Sequence, residues 1–244
     1  MLTHNHPHLT LRIIRTLLDD DIDHTIIIHV DKDEDNVYSI LQQEIKNDTS
    51  LYQRVLLVPN NKRVSVIWGG FSVVQAMLNA MEMAMQLRNN KDNDNRHNFQ
   101  YLAAISGSTY PLRSNKEIRR VLSKDTSKLY MDIKPRRVIV GLPESWNYFV
   151  ECDKSLHRVA RLTIPRGIDM FLGSQWWILP ISAINWLVND PLSLQYAKYC
   201  QHVVVADENF FATLFKFGKT CCTSSRSSTR NRFTLQFSFS AIFK

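Results

Sequence analysis

The chain has 244 residues, 44% hydrophobic and 10% aromatic, enough apolar material for one well-buried core. Charged residues make up 22% and the formal net charge is +7, which excludes a disordered or fibrous chain and favours anionic partners. No run of about 20 apolar residues occurs, so no membrane span is encoded here, and the Met1-Leu2-Thr3-His4 start is too polar for a signal peptide.

From the amino end, Pro7 to Asp20 places Leu9, Ile13, Leu17 and Leu18 at spacings that predict an amphipathic helix. Thr25 to Val30 is a continuous β-branched run closed by Asp31-Lys32-Asp33, the pattern of a buried parallel strand. A second helix is expected over 36–46, and a second strand over Val55 to Val58. Ser72 to Leu87 reads as a long helix rich in Ala and Met, and Asn89 to Asn98 as an exposed polar loop. Tyr101 to Ile105 predicts a strand, followed by the turn Ser106 to Pro111. Asn115 is placed as the N-cap of a short helix ending at Leu122. Lys128 to Ile133 reads as a strand that leads into an irregular segment, 134–172.

Strands alternating with helices imply repeated βαβ units: an α/β fold with a mostly parallel sheet flanked by helices. Such sheets bind ligands at the carboxyl ends of their strands, which puts Asp31 and the 106–111 turn on the candidate rim. Residues 1–215 form the expected domain. Residues 216–244 show no period and no packing partner, and are expected to be disordered or an artefact of the gene model.

The basic excess is spread over Arg119–Arg120, Lys134–Arg137, Arg158–Arg166 and Arg226–Arg232, with acidic residues between. No nucleic-acid-binding motif accompanies it, so solvated surface charge is the better reading and no nucleic-acid partner is expected. Cys152, Cys200, Cys221 and Cys222 match neither a CxxC pair nor a zinc pattern.

Four clusters carry possible chemistry. In His29-Val30-Asp31, a carboxylate at a strand end can accept hydrogen bonds from a nucleoside, or simply cap the next turn. In Ile67-Trp68-Gly69-Gly70-Phe71-Ser72, paired glycines at a helix start allow a ligand close to the backbone, or make a plain tight turn. Gly173-Ser174-Gln175-Trp176-Trp177 offers an aromatic platform for a sugar ring, although most tryptophans are core residues. Asp207 and Glu208 open an apolar helix, where carboxylates usually serve its N-terminus; a Glu held near apolar rings could instead act as a general base.

Taken together, these clusters resemble the Core-2/I-branching family of glycosyltransferases, which includes the protein xylosyltransferases. The matching stretches are IHVDKD (28–33), VIWGGFSVVQAML (66–78), ISGSTYPLRSNKEI (105–118), GSQWWILP (173–180) and ADENFFATLF (206–215). The resemblance covers about residues 1 to 215. It implies a GT-A type α/β glycosyltransferase fold and a Golgi membrane enzyme with its catalytic part in the lumen. It also implies inverting transfer of GlcNAc, or xylose, from a UDP-sugar to a glycan or glycoprotein hydroxyl. No metal and no cofactor beyond the UDP-sugar are implied; Asp31-Lys32-Asp33 fits a DxD string, but in the family that position is the nucleotide-contacting strand end. By matching position, Glu208 is the catalytic base, and His4 and Asp31 contact the nucleotide. Trp68, Gly69, Ser106, Gly173, Ser174, Gln175, Trp176, Trp177 and Asp207 shape the donor-sugar and acceptor site.

Three departures from the family pattern stand out. Thr109 replaces the aspartate that relatives usually carry, and Leu2-Thr3-His4 reads as only the end of the first strand. The family's basic residues for the diphosphate lie beyond the ADENFF segment, where nothing aligns Arg230 or Arg232 with them. The alternative is therefore a catalytically inactive relative that only binds sugar nucleotide or glycan.

Overall fold

Strand β2 (Ile26–Val30) is buried at all five positions, which only a strand covered on both faces can achieve. In the computed structural model, which describes residues 1–19, 24–90, 98–135, 149–159, 168–221, 234–235 and 242–243, that strand anchors a parallel sheet. It pairs in parallel with β1 (Leu2–Thr3) on one side and β3 (Val55–Leu57) on the other. Helix α1 (Pro7–Leu18) connects β1 to β2, while α2 (Asp35–Asn47) and α3 (Thr49–Tyr52) connect β2 to β3.

Period-two alternation divides β2 between two layers. Ile26, Ile28 and Val30 pack with Leu11, Ile14 and Leu18 of α1 and with Val37, Leu41 and Ile45 of α2. Ile27 faces the other way, onto Ala84 of α4 (Phe71–Asn89). Each fully buried Ile or Leu contributes about 1.5–3 kcal/mol relative to exposure.

Beyond β1 the sheet changes character. Leu2 bridges in parallel to Ser106, just past β4 (Tyr101–Ala104). Helix α5 (Asn115–Leu122) and the strands β5 (Lys128–Leu129) and β6 (Ile133–Pro135) follow. The hairpin β7 (Phe149–Cys152) and β8 (Ser155–Arg158) comes next, then β9 (Phe171–Gly173) and β10 (Trp177–Pro180). β10 runs antiparallel along β4, β9 antiparallel along β6, and Tyr130 bridges antiparallel to Ile178. The parallel half is the one the alternation implies; the antiparallel pairing of β9 with β6 and of β10 with β4 departs from it. Helices α6 (Ile181–Asn189), α7 (Pro191–Cys200) and α8 (Ala206–Cys221) close the second layer around Trp177, Phe210 and Phe211.

Several expectations are corrected. Helix α1 stops at Leu18, short of Asp20. Asn115 is not the cap of α5: Ser114 is, through a reciprocal capping box with Glu117, because a hydroxyl three residues before a Glu satisfies two end groups at once. Asn115 instead donates to the carbonyls of Leu17 and Asp19 (3.1 and 2.7 Å), tying the end of α1 to the start of α5. The strand expected over 128–133 is split between β5 and β6, which pair with different partners.

Past Phe215, where the sequence offers no packing partner, α8 continues to Cys221. There β11 (Thr234–Leu235) pairs in parallel with β5, and Leu112 N–H donates to the Ile242 carbonyl at 2.9 Å. Ile242 and Phe243 are buried against the first layer. Most of the 89–98 loop, much of the 134–172 segment, and Arg230 and Arg232 lie outside the described residues. Among the described residues no helix is long and apolar enough to cross a membrane.

Candidate active site

The rim begins at the carboxyl ends of β1, β2 and β4, which lie side by side. His4 follows β1 and is exposed; Asp31 follows β2, and its N–H donates to the Thr3 carbonyl at 3.0 Å. Ser106 follows β4 and closes a turn in which Thr109 Oγ1 accepts from Ser106 N–H at 3.0 Å and sits 2.9 Å from Ser106 Oγ. Thr109 is thus buried and engaged within its own turn, and it brings no charge to the rim. Gly107 is required there, because an added Cβ would stand 2.5 Å from Thr3 Oγ1 and 2.8 Å from Thr10 Oγ1.

Asp31 is fixed through both carboxylate oxygens: Oδ1 accepts from Asp33 N–H (3.0 Å) and Oδ2 from Val66 N–H (3.2 Å). Two residues outside the expected site hold the incoming 63–66 segment. Arg63, almost fully buried, donates Nε to the Val30 carbonyl (3.1 Å) and Nη2 to the Asp31 carbonyl (2.6 Å). Its Nη1 reaches Asp35 (2.9 Å) and Asn60 (3.0 Å), and its guanidinium lies 4.4 Å above the Tyr38 ring. His29 Nε2 accepts from Val64 N–H at 3.0 Å. Burial, then the charges of the N-terminal ammonium and Arg63, pull the His29 pKa down to about 4, so it is a neutral acceptor at physiological pH.

From Val66 the chain turns through Trp68, Gly69 and Gly70 into α4. Gly69 has φ +76°, a conformation that favours glycine, and its carbonyl accepts from Val205 N–H at 2.6 Å. Gly70 leaves room for Glu151, whose Oε1 accepts from Ser72 N–H at 2.7 Å; a Cβ on Gly70 would collide with that carboxylate. A β7 carboxylate therefore caps α4, favoured by both the free N–H groups and the helix dipole. Trp68 itself is 84% exposed at this turn.

Val205 connects this turn to α8. It is a β-branched residue at φ 54°, an uncommon and strained conformation, and its carbonyl accepts from Glu208 N–H at 3.2 Å. One hydrogen-bonded path thus runs from Asp31 through Val66 and the 67–70 turn to Val205 and Glu208. Glu208 is half-buried, and burial raises its pKa. Asp207 is buried, and its pKa is pushed up to about 6 by burial first, the Glu208 charge contributing. Its Oδ1 has no hydrogen-bond partner among the described residues.

Gly173 joins the site through α8. A Cβ there would stand 2.2 Å from the Asp132 carbonyl oxygen and 3.0 Å from Ala212 Cβ, one helical turn beyond Glu208. Ser174 and Gln175 follow it, partly exposed, and Ser174 Oγ accepts from Trp176 N–H at 3.1 Å. Trp176 is partly buried, while Trp177 is 1% exposed with its ring 5.1 Å from Phe211. The two tryptophans therefore do not form a shared platform, because the alternation of β10 sends Trp177 into the core.

Lys32 follows Asp31 in the chain, and the fold brings Lys154 beside it, which the sequence did not signal. Lys154 Nζ pairs with Asp33 at 2.7 Å and bridges the β7–β8 hairpin to the strand end. Among the described residues no group of three or more His, Cys, Asp or Glu side chains could hold a metal ion.

An α/β sheet with an acidic strand end, a glycine turn and a carboxylate-bearing helix start, joined by one hydrogen-bonded path, fits the α/β fold of a glycosyltransferase family. The Core-2/I-branching enzyme family model matches residues 12–234, and the chain belongs to that family. Similar curated proteins include xylosyltransferase 2 of Mus musculus, 28% identical over 207 residues, and xylosyltransferase 2 of Homo sapiens, 29% identical over 207 residues. The xylosyltransferase of Ciona intestinalis is 27% identical over 205 residues. Each match covers 82% of this chain and 22% of the relative, so the chain spans about a fifth of the length of the curated relatives it matches.

Proposed function

We propose that this domain transfers a sugar from a UDP-sugar to an acceptor hydroxyl with inversion, Glu208 acting as general base. The single observation behind it is the hydrogen-bonded path from Asp31 to Glu208, which joins an acidic strand end to a half-buried carboxylate of raised pKa. An acceptor hydroxyl is a weak nucleophile, so a carboxylate must take its proton as the oxygen attacks the anomeric carbon. A pKa raised by burial makes Glu208 a stronger base than an ordinary carboxylate.

In this reading His4 and Asp31 hold the nucleoside, and Lys32 and Lys154 lie where the diphosphate charge would develop. Trp68 offers an exposed ring to a sugar face. Gly69, Ser106, Gly173, Ser174, Gln175, Trp176 and Asp207 border the donor and acceptor. The motifs alone leave GlcNAc and xylose open; the similarity to xylosyltransferases favours xylose. Golgi residence and metal independence belong to the same proposal.

The test is UDP release and product formation from UDP-xylose and UDP-GlcNAc with a glycan or serine-peptide acceptor, with and without a chelator. Chelator-insensitive turnover with one donor supports the proposal, and turnover that requires added metal removes its metal-free part. A second reading, a binding-only relative, is favoured by one observation: Thr109 spends its hydroxyl on its own turn and brings no charge to the rim. Saturable UDP binding without turnover would select it.

A further inference from the structure

Asn47-Asp48-Thr49 is the one Asn-X-Ser/Thr tripeptide in the chain, and no step of the proposed transfer uses it. Such a tripeptide keeps an N-linked glycan only where its amide meets solvent and the folded chain has room for a bulky group. The structure meets both conditions. Asn47 is the last residue of α2, and Asp48 leaves the helix at φ −102°, ψ 104° before α3 begins at Thr49. Asn47 and Thr49 are both exposed at this bend, whereas the residue between them is tied down. Asp48 Oδ1 accepts from Ser50 N–H at 3.0 Å and from Ser50 Oγ at 2.6 Å, and its Oδ2 accepts from Arg15 at 3.3 Å. Buried Ile45 and Leu51 anchor the chain on either side. The bend is thus a fixed corner of the fold, with the acceptor amide and its hydroxyl partner on the outside.

Its place in the fold keeps it away from the rim. Helix α2 starts at Asp35, just past the carboxyl end of β2, and its 13 residues run back about 20 Å at 1.5 Å each. The corner they reach belongs to the other end of the sheet. Arg54, two residues past α3, accepts at its carbonyl from the N–H of Ile26, the first residue of β2, at 2.8 Å. Arg54 Nη2 also donates to the carbonyl of Leu18, the last residue of α1, at 3.2 Å. A group attached at Asn47 therefore stands at the end of the domain opposite Asp31.

We propose that Asn47 carries an N-linked glycan, an inference that rests on the lumenal location given in the proposed function. Asn47 Nδ2 attacks C1 of the first sugar of a lipid-diphosphate-linked oligosaccharide, and the C–N bond forms as the C–O bond to the diphosphate breaks. The amide loses one proton, and the lipid diphosphate leaves with the bonding pair. The secretory pathway supplies both the donor and the transferring enzyme, and Thr49 brings the hydroxyl that the tripeptide requires. The glycan adds polar bulk at the far end of the sheet and leaves the Asp31 side of the domain open.

The test secretes the chain from animal cells behind a cleavable leader, so that it enters the secretory pathway whatever its natural address. Secreted protein is treated with a glycosidase that frees N-linked glycans and leaves aspartate at the modified position. The chain and its Thr49→Ser form are expected to shift in mobility on treatment and to yield aspartate at position 47. Asn47→Gln and Thr49→Ala, which lack the acceptor or its hydroxyl partner, should show no shift. UDP affinity should be equal with and without the glycan. Secreted chain with an unmodified Asn47 would overturn the proposal, as would a glycan found only on chain retained inside the cell. UDP binding weakened by the glycan would overturn the placement of Asn47 away from the rim. A glycosylated chain that binds no UDP supports the glycan and removes the transferase reading, so the two fail separately.

Discussion

At the carboxyl end of β2, Asp31 is bonded through both oxygens, and Arg63 places donors on Val30, Asp31, Asp35 and Asn60. At the start of α8 the balance is reversed. Asp207 is buried with an unpartnered oxygen among the described residues, Glu208 has a raised pKa, and Val205 holds a strained φ of 54°. One side is a finished hydrogen-bonded frame; the other keeps a buried carboxylate oxygen without a partner among the described residues. That is the division expected when a frame fixes a ligand and a reactive group acts on it. The link between them is short: the Gly69 carbonyl and the Val205 N–H.

Breaking the frame should cost most. Arg63→Met removes four hydrogen bonds and takes the Arg63 donor from the buried Val30 carbonyl, while the Asp31 carbonyl keeps Glu34 N–H, for an expected loss of about 4 kcal/mol in chemical denaturation. Gly173→Ala drives a Cβ into the Asp132 carbonyl and the Ala212 methyl, both parts of packed backbone elements, and should cost about 3 kcal/mol by the same measurement.

On the α8 side the sign reverses. Asp207 ionises near 3.8 when unfolded and near about 6 when folded. The folded state therefore holds its proton longer, and stability falls as pH rises between those values and stays lower above them. Asp207→Asn should stabilise the chain by about 2 kcal/mol at pH 7.5 and by almost nothing at pH 3.5, read from denaturation at both pH values. A smaller effect belongs to the cap: Glu151→Ala should cost about 1 kcal/mol. It should also let Gly70→Ala be tolerated, since the carboxylate that the new Cβ would strike is gone.

The frame was largely legible in the sequence because it rests on local patterns. An unbroken Ile-Ile-Ile-His-Val run can only be a strand covered on both faces, and the acidic residue that ends it lands on the rim. Arg63 was not legible, since its acceptors lie about thirty positions away and nothing near it signals burial. Glu151 was hidden for the same reason, capping a helix 79 positions upstream. Trp68 and Trp177 carry the same side chain, yet one is 84% exposed and the other 1%. Only the turn geometry at Gly69 and the register of β10 separate them. The direction of β10 was equally unreadable, because an apolar run such as Trp-Ile-Leu-Pro packs into a sheet either way.

The most direct measurement compares the chain with its Glu208→Gln variant for UDP release from UDP-xylose, beside UDP affinity and melting midpoint. Glu208 as base requires turnover to fall by about a thousandfold, on the order of 4 kcal/mol in the barrier, while UDP affinity and midpoint stay within error. Turnover retained in the glutamine variant would contradict the role assigned to Glu208 and return the base to another group on the rim.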